Sequence, residues 1–202
     1  MGYTTDFIGS LKLSGNKITE RQKEYINTLS STRRMKRDVN KLMKLYKGKY
    51  GYPDDNRKTP EEIYGNEGEY FAHDDGNSGQ ERDDSILGYN TPPGQISSDS
   101  TKNINEIWEE EQNRIKSGIC QPGLWCQWII NEENEFEWDG GEKFYNYVEW
   151  LRYYIDHFFS KWGILLNGEI KWSGEDSSDI GKIVVNDNVV NVFAGHITYE
   201  KI

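Results

Sequence analysis

One stretch constrains this chain's fold more than any other. It is Gln121-Pro122-Gly123-Leu124-Trp125-Cys126-Gln127-Trp128, followed by Glu137-Trp138-Asp139-Gly140-Gly141-Glu142-Lys143-Phe144-Tyr145. Leu124, Cys126, Trp128 and Ile130 alternate with Trp125, Gln127 and Ile129, the period of a strand. Phe136 and Trp138 alternate with Glu135, Glu137 and Asp139, and residues 131–134 supply the turn of a hairpin. After Gly140-Gly141, the residues Phe144, Tyr147, Val148, Leu151, Ile155, Phe158, Phe159 and Trp162 trace one face of a helix that stops at Gly163.

The rest of the chain fits around this unit. Residues 3–13 read as a first strand ending in Ser14-Gly15-Asn16. Thr19 and Gln22 have the form of a capping box, and helical spacing from Tyr25 to Tyr46 predicts one long helix, or two joined near residues 30–31, ending at Gly48. From 49 to 119 the pattern collapses into Gly, Asp, Asn, Ser and Pro, an irregular excursion in which 94–101 is expected to be flexible and 102–116 a short helix. Residues 167–173, 182–185 and 189–199 read as strands, the last two joined across Asn186-Asp187-Asn188. The order predicts an α+β fold: a ferredoxin-like βαββαβ core, a C-terminal hairpin extending an antiparallel sheet, and a long insertion after the first helix.

At 202 residues the chain fits a single domain. Only 35% of residues are hydrophobic while 13% are aromatic, so the core has to be built from rings. No run of eighteen apolar residues and no charged leader with an apolar segment appears, which predicts a cytosolic protein without a membrane span. Cys120 and Cys126 match no common zinc spacing, and Cys126 reads as a small buried apolar group.

Charge is uneven. Between Arg33 and Lys49 eight basic residues face one acid, Asp38, a local charge of +7; with a net charge of -10 the remainder carries -17. That balance argues against binding duplex nucleic acid but leaves room for a local anion site. Arg33, Arg34 and Arg37 are the candidate phosphate contacts, since arginine presents a planar fork to phosphate oxygens, and 33 and 37 fall one turn apart on the expected helix. The blander reading is a solvated helix face. Trp125 and Tyr89 are candidate stacking rings, and Asp83 and Asn90 candidate readers of polar edges. Trp128, Trp138 and Phe144 are expected in the core.

The acidic row Glu135, Glu137, Asp139 and the group Glu169, Glu175, Asp176 have the residue types for a glycosidase pair or a divalent cation, but a solvated sheet face accounts for them more simply. His73-Asp74-Asp75 and Glu81-Arg82-Asp83-Asp84 read as polar loop. There is no phosphate-binding loop, dinucleotide fingerprint, nucleophile elbow or His-Glu-x-x-His. No cofactor, catalytic residue or metal ligand is expected.

Together with Met1-Gly2-Tyr3-Thr4-Thr5-Asp6-Phe7, Thr32-Arg33-Arg34-Met35, Asp83-Asp84-Ser85, Tyr89-Asn90-Thr91-Pro92-Pro93 and Gly174-Glu175-Asp176, the opening motifs resemble an uncharacterised family of small proteins of bacteriophages, prophages and bacteria. The resemblance spans most of the chain except about residues 94–119. In similar proteins the Tyr-Asn-x-Pro-Pro run leads almost directly into Gln-Pro-Gly-Leu-Trp-Cys-Gln-Trp. Here a polar segment with Ile104, Ile107, Trp108 and Ile115 intervenes. The resemblance implies a phage setting in a bacterial cytoplasm and supplies no catalytic residues. The expected function is counter-defence by sequestering a small nucleotide-type immune signal. The alternatives are an acidic, nucleic-acid-mimicking inhibitor of a host nucleic-acid-binding defence enzyme and a metal-dependent hydrolase. An exposed sheet face also suits pairing into a homo-oligomer.

Overall fold

The computed structural model describes residues 2–96 and 103–198. The chain is a mixed α+β protein whose contacts fall into two compact units, Met1–Ile18 with Gln127–Ile202, and Thr19–Cys126.

The first unit holds a six-stranded antiparallel sheet in the order β4-β5-β1-β6-β7-β8. Its strands are β1 (Thr5–Gly15), β4 (Trp128–Ile130), β5 (Glu135–Trp138), β6 (Ile164–Gly174), β7 (Ile180–Asn186) and β8 (Val189–Ala194). β1 and β6 pair along their whole length, from Thr5 opposite Gly174 to Gly15 opposite Ile164. Gly9, at φ +110°, sits where a Cβ would meet the Glu169 carbonyl oxygen at 2.4 Å, so the two backbones come too close there for a side chain.

The hairpin of β4 and β5 sets Trp128 opposite Trp138 and Ile130 opposite Phe136, as the alternation predicts. The first of these strands is shorter than expected: pairing begins at Trp128, and residues 124–126 belong to the second unit.

The second expected helix is α5 (Tyr147–Tyr154), continued by a π-helical turn, Ile155–Phe159. Phe158 and Phe159 are both fully buried in this wider turn, as the consecutive Trp150 and Leu151 are in α5. Rings bind this helix to one sheet face: Phe7 touches Trp128 and Tyr147 at centroid distances of 5.5 and 4.8 Å, and Phe136 meets Phe159 at 5.1 Å. Trp128 and Phe144 are buried, as expected, while Trp138 is half-buried. A fully buried ring or large aliphatic side chain contributes about 1.5–3 kcal/mol.

The second unit keeps the expected excursion largely irregular among the described residues, interrupted by two short helices and a short strand. It contains α1 (Glu20–Ser31), β2 (Lys36–Arg37), α2 (Val39–Tyr46), α3 (Pro60–Tyr64), β3 (Ile86–Gly88) and α4 (Ile104–Lys116). Thr19 and Gln22 form the capping box of α1. Of the two expected arrangements the two-helix one holds: α1 ends at Ser31, Thr32 turns extended at φ -87° and ψ 126°, and α2 starts afresh on the Asp38 side chain. Its C-terminal cap is Lys47 in the left-handed region, one residue before the expected Gly48.

Val39, Leu42, Ile63, Tyr64 and Phe71 form this unit's hydrophobic cluster. The short helix expected over 102–116 is α4. Most of the segment expected to be flexible, 97–101, lies outside the described residues, as do Met1, residue 102 and the end of the last expected strand at Tyr199. Among the described residues no helix is long and apolar enough to cross a membrane.

Candidate functional site

Residues 32–38 leave α1 as an extended ribbon, and the loops of the second unit hang on it. The Arg33 N–H donates to Ser78 O, Arg34 to Leu124 O, Lys36 to Thr91 O, Arg37 to Glu67 O and Asp38 to Ser85 O, each at 2.8–2.9 Å. Because the ribbon is not helical, Arg33 and Arg37 do not share a helix face, which corrects the sequence expectation.

Two of the three candidate phosphate contacts prove to be interior. Arg34 is 1% exposed. Its Nε donates to Gln121 Oε1 at 3.0 Å, Nη1 to Phe71 O at 2.7 Å, and Nη2 to Gly68 O and Glu69 O at 3.3 and 3.0 Å. Arg37 is equally enclosed, pairing through Nη1 with Asp83 at 2.7 Å and lying 4.7 Å from the Phe71 ring centre. Loops have no ladder to satisfy their carbonyls, and the Arg34 fork does that work instead, while Arg37 holds the Asp83 carboxylate and the Ser85 hydroxyl. Lys36 acts alike, reaching Gln95 O at 2.8 Å and Glu67 at 3.1 Å.

Asp83 is therefore framework and not a free reader of ligand edges. It accepts from Arg37, from the Tyr46 hydroxyl at 3.1 Å, and from the backbone N–H and hydroxyl of Ser85. Burial alone would raise its pKa, but the Ser85 hydrogen bonds and the Arg37 charge outweigh it and hold the carboxyl below its ordinary value. Burial and the Asp83 charge together push the Tyr46 hydroxyl up to about 12.

The other four candidates, Arg33, Tyr89, Asn90 and Trp125, come together from three distant segments. Arg33 is half-buried; its Nε donates to Tyr89 O at 3.3 Å and its Nη2 to Asn90 Oδ1 at 2.8 Å. Its guanidinium carbon lies 4.7 Å from the Tyr89 ring centre and 5.6 Å from that of Trp125, which is 36% exposed. A residue that sequence reasoning left in a polar loop joins them: Arg82 sits over the same Tyr89 ring at 4.1 Å. Among the described residues neither guanidinium is ion-paired. No signal in the sequence places Arg82 here, because residues 78–90 return to Arg33 only through loop hydrogen bonds.

A cavity of about 560 Å3 lies elsewhere in the same unit, along α1 and residues 47–53, with none of the platform residues in its wall. Both cysteines are buried and outside any disulfide, and burial pushes the Cys120 thiol up to about 11. Among the described residues no three His, Cys, Asp or Glu side chains are grouped to hold a metal ion. Comparison with protein-family models, curated proteins and solved structures yields no match for this chain.

Proposed function

We propose that this chain is a phage-encoded, cytoplasmic counter-defence protein that sequesters a small nucleotide-type immune signal. The observation that carries the reading is the platform in the second unit: two guanidiniums without acidic partners, Arg33 and Arg82, share the Tyr89 ring beside the exposed indole of Trp125. Phosphate oxygens would accept from Arg33 and Arg82, a base would stack on Trp125, and the Asn90 amide would meet polar edges of the ligand. The phage setting rests on the family resemblance. The sheet order β4-β5-β1-β6, antiparallel throughout, supports reading the strands of the first unit as those of a ferredoxin-like core extended by β7 and β8, with α5 as the core helix inside that unit.

The test is native mass spectrometry of protein purified from phage-infected, defence-active cells, followed by heat release of any small molecule. An intact phosphate-containing ligand is expected, and Arg33→Ala should weaken its binding about 10- to 100-fold in protein that circular dichroism shows to be still folded. A protein that comes out empty, or undiminished binding by the variant, overturns the reading.

The alternative of an acidic inhibitor of a host defence enzyme gains from one observation. Arg34 is withdrawn into the second unit, and Arg37 together with its partner Asp83, so the surface is left slightly more acidic than the sequence charge implies. In that case a host polypeptide would accompany the empty protein, and the association would weaken with salt.

A further inference from the structure

We propose that the cavity of the second unit is an independent binding site for a small aromatic zwitterion, a planar ring carrying both an ammonium and a carboxylate. The inference does not rest on the platform, since no residue of the platform lines this cavity. Its volume, about 560 Å3, falls within the range of roughly 300–1,000 Å3 typical of small-molecule sites.

The walls supply a place for a ring. Tyr50 and His73 lie stacked, with centroids 4.1 Å apart and planes inclined by 4°. Tyr46 closes against both at 5.6 Å. Tyr50 is held in the left-handed region at φ 62°, a conformation that bulky residues rarely take, and its carbonyl accepts from Ala72 N at 2.7 Å. Gly51 beside it lets the wall come close to α3, because a Cβ there would meet the Ile63 side chain at 2.4 Å. The ring pair is thus fixed by backbone on both sides, while Tyr50 remains 43% exposed and able to stack on a ligand.

The charges of the wall decide the ligand class. Arg21 is already paired with Asp55 at 2.6 Å. What remains is two cations, Lys47 and Lys49, and two acids, Glu24 and Asp74, drawn from three separate segments. Among the described residues Glu24, Lys47 and Lys49 have no ion-pair partner, and Asp74 accepts only from its own loop, at Gly76 N. A purely anionic ligand would satisfy the lysines while bringing its charge against Glu24 and Asp74, and a purely cationic one would do the reverse. Only a molecule with both signs complements the whole wall.

The experiment is titration calorimetry of the full chain with three probes: L-tryptophan as the zwitterion, tryptophan amide as the cation and N-acetyl-L-tryptophan as the anion. L-tryptophan should bind, and each single-charge analogue should bind about 10-fold more weakly, the loss of one charged hydrogen bond. Lys49→Gln and Glu24→Gln, both on exposed side chains, should each weaken the zwitterion with the melting temperature unchanged, and Tyr50→Ala should abolish binding. Arg33→Ala should leave this titration unaltered, which separates the cavity from the platform. Absence of heat with all three probes, equal affinities for the three, or indifference to the Lys49 and Glu24 substitutions overturns the proposal.

Discussion

Replacing Arg34 with methionine keeps most of the side-chain volume and removes the fork. The cost follows from the four hydrogen bonds. Gly68 O also accepts from Phe71 N at 3.1 Å, and Glu69 O from Gln121 Nε2 at 2.8 Å, so both carbonyls retain a donor in the variant. The bonds to Phe71 O and Gln121 Oε1 carry the loss. A hydrogen bond from a charged group is worth about 1.5–3 kcal/mol, which for two such bonds puts Arg34→Met at about 3–6 kcal/mol. That is a large share of the roughly 5–15 kcal/mol that holds a typical protein folded.

Arg34→Lys should recover only part of it, because one ammonium cannot match the spread of a planar fork. Urea unfolding reads the free energy, and amide hydrogen exchange over residues 67–71 and 33–38 localises it to the second unit. If Arg34→Met stays within about 1 kcal/mol of the unaltered protein, the ribbon is not the staple of these loops. The case that Arg34 is unavailable to a ligand then falls with it.

Two further predictions rest on the same geometry. Because the Asp83 carboxyl titrates lower when folded than its ordinary 3.8, it adds stability that is fully present above that pH and is lost as pH falls through its depressed value. Asp83→Asn should therefore flatten the acid limb of a pH-stability curve, and an unchanged limb would refute the pairing. Gly9→Ala should cost at least about 2 kcal/mol in a thermal or urea melt, from the positive φ and the contact with Glu169 O, and a neutral result would mean that the strands separate there freely.

Much of the sheet was legible in the sequence because its pleat period matches its burial: Phe7 and Leu11, Phe136, Ile170, Ile183 and Val185 all turn to one face. The helix from Tyr147 was legible through Phe158 and Phe159 to its stop at Gly163, and only the wider π turn over Ile155–Phe159 left no mark in the sequence. In the second unit the helices α1, α2 and α4 and the capping box were legible, and the arrangement of its loops was not. Its architecture is carried by hydrogen bonds between segments with no periodicity, and a run of arginines on an extended ribbon is indistinguishable by composition from one on a solvated helix. The platform was half legible, since Arg33, Tyr89, Asn90 and Trp125 announced themselves by type, while Arg82 is brought in by loop geometry alone. The Tyr50–His73 wall left no sequence signal beyond aromatic content.

The sheet unit is assembled from the two ends of the chain, and the unit between them is continuous from Thr19 to Cys126. This sets a timetable for synthesis. β1 is made first, yet its partners β5 and β6 emerge only after the whole intervening unit has left the ribosome. The intervening unit can fold on release and draw its own ends into a defined structure, which lowers the entropic cost of closing a long loop when β6 arrives. Until then β1 waits as an unpaired strand. The alternation of Asp6, Ser10 and Lys12 with Phe7 and Leu11 keeps that strand from offering a continuous apolar edge to other nascent chains.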